Sequence, residues 1–193
     1  ILISAVFDFF DGFAARILKV SSEIGKQLDS LADLVSFGVL PGFILFKMAE
    51  VQSGLEWLPY FTLIVPLLSA YRLAKFNLDT RQSDQFIGLP TPANALFIST
   101  LPYLAISVPQ VGVWLNLPLI LVIVAWMMSI LLVLEIHLIA LKFKNFSFKS
   151  NVFRYTLLGM GALLISFLGL AGIPWVILAY IGLSLIENGT KRQ

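Results

Sequence analysis

The sequence lacks cysteine and contains few charged residues, and both features restrict the class of protein to which it can belong. Its 193 residues include no Cys, which excludes disulfides, thiolate metal ligands and cysteine nucleophiles. Only 12% of the residues are charged and 59% are hydrophobic, which is more apolar surface than a soluble domain of this size can bury. The alternation of apolar and polar residues that is typical of membrane barrels is also missing. These observations predict an all-α, polytopic transmembrane helical bundle, in which each span satisfies its own backbone hydrogen bonds.

Seven apolar segments are predicted, and we expect them to form a single transmembrane catalytic domain over residues 1–193. They cover about 1–19, 26–49, 57–76, 91–109, 114–142, 152–168 and 172–187. A spanning helix needs roughly 20 residues. The uncharged stretch 155–186 would be about 48 Å long as one helix, so the Gly and Pro residues of 169–174 predict a turn there. The first segment is too short to cross a bilayer before it reaches Asp8, so we expect the start of the chain to be truncated.

Basic residues are distributed in a way that predicts an orientation. If successive spans alternate in direction, every Lys and Arg except Lys47 falls on the same side of the membrane. The positive-inside rule makes that side cytoplasmic. We therefore expect a multi-pass protein of the cell (inner) membrane, with the polar connection 77–90 in the cytoplasm.

Four carboxylates near the start of the chain are the strongest functional signal. Asp8 and Asp11 are three residues apart and Asp29 and Asp33 are four apart, so each pair shares one face of a helix. Acids in apolar surroundings mark functional sites by default, and four converging carboxylates need compensating charge. Hard divalent cations take oxygen ligands and share them with substrate phosphates. The spacing therefore predicts a metal site that handles a phosphoryl group, and with this many acids we expect a two-metal cluster.

Small and basic residues lie near these acids in the sequence. The basic residues allow an alternative to the metal site. The small residues Gly12, Ala15 and Gly25 allow a substrate or the other helix to approach closely. Arg16 is placed to contact phosphate. For any single Asp, an interhelical salt bridge to Arg16, Lys19 or Lys26 is an equally good interpretation. Salt bridges do not require Gly and Ala at these spacings, so the whole pattern favours the metal site.

The full pattern is Asp-x2-Asp-Gly-x2-Ala-Arg-x8-Gly-x3-Asp-x3-Asp over residues 8–33, and it resembles the signature of the CDP-alcohol phosphotransferase family at every defined position. The resemblance implies transfer of a phosphate-linked group from a CDP-linked donor to an alcohol, with release of CMP. It implies that Asp8, Asp11 and Asp29 are ligands of Mg²⁺ or Mn²⁺, and that Asp33 is a ligand and the general base. Nucleotide and pyrophosphate contacts are implied for Gly12, Ala15, Arg16 and Gly25. Members of this family carry a further span before the first Asp helix, so we expect one to be missing here.

Three further stretches resemble the branch of this family that uses CDP-diacylglycerol and L-serine. They are residues 29–41, 71–77 and 86–93, with Leu40 at a place where that branch more often has Ala. The resemblance implies CDP-diacylglycerol, L-serine and membrane lipids as partners, and a homodimer. Basic and aromatic residues alternate over 142–149, but we interpret them as topology-setting charge and an aromatic belt rather than as a nucleic-acid site.

A serine acceptor is a zwitterion, so its carboxylate needs a cation in the site. Arg72 is the first candidate, because a guanidinium grips a carboxylate with two donors. Lys75, Arg81 and Asn77 are further candidates. The alternative is that Arg72 and Lys75 only flank a span or snorkel to its edge, and that Asn77 caps a helix. The sequence leaves this choice open.

Two other functions compete with this interpretation. One is a family member that uses glycerol 3-phosphate or an inositol phosphate, but a phosphorylated acceptor needs a denser basic pocket than Arg72 and Lys75 supply. The other is a cation transporter, which often shows paired halves with broken helices. Here the acidic pattern ends at Asp33 and has no counterpart in the second half of the chain, which argues against a transporter.

Overall fold

The computed structural model describes most of the chain as helix. It covers residues 1–18, 22–52, 54–79, 86–140, 143, 146–148 and 151–191, without the side chains of Ala15, Arg16, Gln52, Phe86 and Lys191. The α-helices in these ranges are α1 (Leu2–Leu18), α2 (Glu23–Asp33), α3 (Leu40–Gln52), α4 (Ile64–Leu78), α5 (Thr91–Ser107), α6 (Pro109–Leu115), α7 (Pro118–Val133), α8 (Val152–Leu168) and α9 (Ile173–Lys191). The predicted all-α class is confirmed.

Shorter elements connect some of these helices. A π-helical segment, Leu34–Val39, joins α2 to α3 without a break. Segments of 3₁₀-helix precede α4 and α9, at Leu58–Leu63 and Gly169–Gly172. Two strands of two residues each, β1 (Phe86–Ile87) and β2 (His137–Leu138), pair antiparallel, with Phe86 opposite Leu138.

Two helical stretches within the described ranges are long and apolar enough to cross a membrane, Glu23–Val51 and Val152–Thr190. The pair α6 and α7 would form a third if counted together, but the two helices meet at a bend of 87°. This bend differs from the continuous segment predicted over 114–142. Its cause is local, because Leu117 precedes Pro118 and takes the extended conformation that a following proline favours, with φ −92° and ψ 116°.

The second stretch folds back on itself at the predicted turn. Helix α8 ends before Gly169, whose φ of +56° suits glycine, and Pro174 lies in the first turn of α9. A Cβ placed on Gly161 of α8 would lie only 3.6 Å from Val176 of α9. Residues 15 positions apart come this close only in a hairpin, since they would be about 22 Å apart along one straight helix.

Helix α2, the π-helical segment and α3 form one continuous helical stretch, which we call the α2–α3 rod. Two glycines fix the register of this rod against α4. A Cβ on Gly38 would lie 2.9 Å from Cβ of Ser69, and a Cβ on Gly42 would lie 2.7 Å from Cδ of Pro66. Small residues at such positions let two helix backbones approach closely. The contacts run antiparallel, so residues before Gly38 on the rod face residues after Ser69 on α4. In this register, the end of α2 lies alongside the part of α4 that contains Arg72.

The packed core lies among the central helices. Leu45, Val65, Ile98, Leu121 and Leu132 are each at most 1% exposed. Helix α1 is different, because its large apolar side chains are exposed; they include Ile3, Phe7, Phe9 and Phe13. An apolar helix surface of this kind suits a lipid environment.

Candidate metal and phosphoryl-transfer site

The acidic residues predicted from the spacing come together where α1 meets α2. One carboxylate oxygen from each of Asp8, Asp11 and Asp29 lies within 4.8 Å of the others. Asp8 is half-buried, whereas Asp11 and Asp29 are exposed. Three oxygen donors at this separation fit a hard divalent cation such as Mg²⁺ or Mn²⁺. The donor set is therefore consistent with a divalent-metal site, as the resemblance implied.

Asp33 completes the group from the last turn of α2. Its carboxyl group lies within hydrogen-bonding reach of that of Asp8 and interacts electrostatically with Asp29 and Asp11. Like charges this close repel one another unless a cation or a proton is shared between them. All four carboxylates thus face one small volume, to which each of the two helices contributes a pair.

A cap begins α2, the helix that carries Asp29 and Asp33. The backbone N–H of Gly25 donates to Oγ of Ser22 at 3.0 Å, which satisfies one of the free donors at the helix end. A Cβ on Gly25 would lie 2.9 Å from the same oxygen. Sequence reasoning missed the cap, although a Ser immediately before a predicted helix is its usual signal. Gly25 as a pyrophosphate contact stays a prediction.

The other motif residues lie on α1. Gly12 is half-buried on that helix. Ala15 and Arg16 are helical, but their side chains lie outside the described part, as does all of Lys19. Lys26, the third predicted salt-bridge partner, donates instead to the backbone carbonyl of Asn77 at 2.9 Å. The ion pairs between described side chains join Lys47 to Glu50 and Lys75 to Glu135, and none involves the four acids.

Arg72 is a buried cation next to the acid cluster. Only 7% of the residue is exposed, and its guanidinium interacts electrostatically with Asp33. Its Nε donates to the carbonyl of Leu89 at 3.1 Å, and its guanidinium carbon lies 5.0 Å from the ring centroid of Phe76. Tyr180 of α9 also lies within electrostatic reach. The structure thus brings the first-ranked acceptor candidate to the site.

The remaining acceptor candidates are engaged in contacts of their own. Nζ of Lys75 pairs with Oε1 of Glu135 at 2.9 Å. The side-chain amide of Asn77 donates to Oγ of Ser30 at 2.8 Å, so this residue reaches across to α2. Arg81 lies outside the described residues. An acceptor role for Lys75 or Asn77 stays a prediction.

The segment that precedes α5 holds the carbonyl that contacts Arg72. Gly88 has a φ of +78°, and its N–H donates to the carbonyl of Ile136 at 2.8 Å. Leu89 N–H donates to the carbonyl of Leu131 at 2.9 Å. The sequence Gly88-Leu89-Pro90 signals a turn, but no local signal connects Leu89 to Arg72.

Comparison with known proteins identifies the family of this chain. A model of the CDP-alcohol phosphatidyltransferase family matches residues 1–131, and the chain therefore belongs to that family. The chain is similar to proteins named CDP-diacylglycerol–serine O-phosphatidyltransferase. That of Bacillus subtilis (strain 168) is 42% identical over 89 residues, which are 44% of this chain and 48% of the relative. That of Methanocaldococcus jannaschii is 40% identical over 98 residues, 51% of this chain and 46% of the relative.

The similarity extends to a eukaryotic protein with the same name. The Saccharomyces cerevisiae protein of that name is 38% identical over 113 residues, which are 53% of this chain and 40% of the relative. The chain spans less than half the length of each of these three relatives.

Proposed function

We propose that the protein is a phosphatidylserine synthase, a CDP-diacylglycerol–serine O-phosphatidyltransferase. It transfers the phosphatidyl group of CDP-diacylglycerol to the hydroxyl of L-serine and releases CMP. The observation that carries the proposal is the convergence of Asp8, Asp11 and Asp29 within 4.8 Å, together with Asp33, which interacts electrostatically with these acids and with the buried Arg72. The names of the similar proteins support serine as the acceptor.

The four aspartates hold the metal in this proposal. Asp8, Asp11, Asp29 and Asp33 would hold two ions of Mg²⁺ or Mn²⁺, which would supply the positive charge that the pyrophosphate needs. Gly12 and Gly25 leave room for the nucleotide and pyrophosphate to approach the two helices. Ala15 and Arg16 complete that contact set, with Arg16 donating to phosphate oxygens.

Asp33 and Arg72 act on the acceptor. The serine hydroxyl is a weak nucleophile at neutral pH and needs a base within hydrogen-bond reach. Asp33 takes its proton while the serine oxygen forms a bond to the β-phosphorus of the donor, the one that carries diacylglycerol. The bond from that phosphorus to the bridging oxygen breaks, and CMP leaves with the electron pair. Arg72 holds the serine carboxylate, with Lys75 and Asn77 as further acceptor contacts.

The cellular setting follows from the charge distribution. We place the protein in the cell (inner) membrane as a single catalytic domain over residues 1–193, with the acid cluster at the cytoplasmic boundary. Basic residues on that side support this orientation. A homodimer surrounded by membrane lipids is the assembly that the family resemblance implies.

CMP release tests the proposal directly. Purified protein is supplied with CDP-diacylglycerol and Mg²⁺ or Mn²⁺, and L-serine, glycerol 3-phosphate and inositol phosphate are compared as acceptors. We expect release only with serine, and its loss in Asp33→Asn but not in Glu23→Gln, which alters an exposed acid on the same helix outside the cluster. Release with a phosphorylated acceptor instead would contradict the serine assignment. No release with any acceptor would contradict the enzyme assignment.

A further inference from the structure

Two hydrogen bonds join α2 to the end of α4 beside the acid cluster, and a third within α2 connects them. The side-chain amide of Asn77 donates to Oγ of Ser30 at 2.8 Å, and this hydroxyl donates to the carbonyl of Lys26 at 3.2 Å. Nζ of Lys26 in turn donates to the backbone carbonyl of Asn77 at 2.9 Å. Asn77 is therefore held through its side chain and its backbone by two residues one turn apart on α2. We refer to Lys26, Ser30 and Asn77 as the interhelical latch.

The latch continues the register that the glycine contacts set. Gly38 faces Ser69 across the two helices. Eight residues before Gly38 comes Ser30, and eight residues after Ser69 comes Asn77, so the hydrogen bond joins positions that this antiparallel register already places opposite each other. Asp33 and Arg72 lie between the two contacts. The Gly38–Ser69 contact thus holds the two helices together on one side of Asp33 and Arg72, and the latch holds them together on the other side.

Side-chain packing does little to hold α2 in place. None of its residues, Glu23–Asp33, is buried, whereas the rod becomes buried at Phe37 and Gly38. A helix held only at its far end is free to rotate or tilt, because most helical stability in proteins comes from packing a buried face. Ser30 follows Asp29 and precedes Asp33 by three residues, so a rotation at Ser30 displaces both carboxylates.

We propose that Asn77, Ser30 and Lys26 are positioning residues that fix the rotation and depth of α2. The latch keeps Asp29 against the pair from α1 and keeps Asp33 near Arg72. The catalytic part of this inference rests on the proposed function, whereas the metal-binding part needs no turnover. It gives Asn77 a role that acts through α2, in addition to the acceptor contact proposed above.

Direct Mn²⁺ binding tests the latch. Free Mn²⁺ is measured by electron paramagnetic resonance with purified protein and no substrate, for wild type, Ser30→Ala, Asn77→Ala and the double variant. We expect each single variant to weaken Mn²⁺ binding by about tenfold, the lower end of what loss of an outer-shell partner costs. The double variant is expected to match the single ones, because both changes remove the same hydrogen bond.

Two further variants separate this effect from general damage. Ser30→Thr keeps the hydroxyl and is expected to bind Mn²⁺ like wild type. Asn116→Ala removes an exposed Asn after α6, away from the latch, and is expected to change nothing. Wild-type Mn²⁺ affinity in Asn77→Ala together with a raised KM for serine would overturn the latch and leave Asn77 as an acceptor contact only. Additive losses in the double variant would also overturn it.

The outcomes distinguish the two proposals. If the latch variants lose Mn²⁺ affinity but wild type releases no CMP with any acceptor, the latch stands and the proposed function fails. If wild type turns over serine while the latch variants bind Mn²⁺ normally, the proposed function stands and the latch fails.

Discussion

Nε of Arg72 donates to the carbonyl oxygen of Leu89 at 3.1 Å. A guanidinium held through Nε presents its two terminal nitrogens as a fixed fork, which suits bidentate binding of a carboxylate. Because Leu89 is itself held by Leu131 through its N–H, the backbone that anchors this arginine is tied to α7. Arg72, which interacts electrostatically with Asp33, is therefore fixed by a contact outside the acid cluster.

Replacing Arg72 by Lys is expected to raise the KM for serine by at least about tenfold. The ammonium cannot reproduce the Nε contact or bind the serine carboxylate with two parallel donors, and loss of one hydrogen bond to a charged group costs about 1.5–3 kcal/mol, where each 1.36 kcal/mol is about a factor of ten. Steady-state kinetics with varied serine at saturating Mn²⁺ measure the change. Arg154→Lys is the matched control, because Nε of Arg154 makes the same kind of bond to the carbonyl of Ala140, at 2.9 Å. Equal KM changes in both variants would argue against a serine contact at Arg72.

Replacing Asp29 by Asn is expected to weaken Mn²⁺ binding by more than about 100-fold. It removes a charged oxygen ligand from the three that lie within 4.8 Å, and loss of an outer-shell partner alone costs about 10–100-fold. Titration of free Mn²⁺ in the absence of substrate measures the affinity. The matched variant Glu23→Gln removes an exposed acid of the same helix and should bind as wild type does. Unchanged affinity in Asp29→Asn would exclude this residue as a ligand.

The acid cluster could be predicted because helix geometry converts sequence spacing into shared faces. The turn at 169–174 was equally accessible, since glycine and proline act locally. The bend at Leu117–Pro118 also had a local signal, but strong hydrophobicity on both sides concealed it. The contact of Arg72 with Leu89 and that of Asn77 with Ser30 had no such signal. They depend on how separate segments pack together, and for Asn77 and Ser30 that packing is the register between helices that Gly38 sets against Ser69.

Replacing Gly88 by Ala is expected to destabilise the protein by about 3 kcal/mol. Its φ of +78° costs a residue with a side chain about 1–2 kcal/mol, and the new Cβ would lie 2.6 Å from the backbone carbonyl oxygen of Leu132, adding strain of about 1–3 kcal/mol. Thermal unfolding should shift down by roughly 6–12 °C, at about 2–4 °C per kcal/mol for a chain of this size. Gly182→Ala is the control, since a Cβ there meets nothing within 4 Å. Equal melting temperatures in the two variants would contradict the prediction.

Replacing Ser184 by Ala is expected to destabilise the connection between α9 and β2. Oγ of Ser184 accepts the N–H of Ile139 at 3.1 Å, and the hydroxyl of Tyr180 donates to the carbonyl of the same residue at 3.1 Å. Side chains one turn apart on α9 thus satisfy both backbone groups of Ile139, next to β2. Removing the hydroxyl leaves a buried N–H unpaired, at a cost of about 1–3 kcal/mol.

The melting temperature of Ser184→Ala should therefore fall by roughly 2–12 °C. Mn²⁺ affinity in the same preparation should stay at the wild-type value, because Ser184 lies outside the acid cluster and the latch. Ser166→Ala, which removes an exposed hydroxyl from α8, is the matched control and should leave both quantities unchanged. A melting temperature of Ser184→Ala equal to that of Ser166→Ala would show that this hydrogen bond adds no net stability. A loss of Mn²⁺ affinity in Ser184→Ala would instead mean that α9 communicates with the acid cluster, along the path from Tyr180 to Arg72 and Asp33.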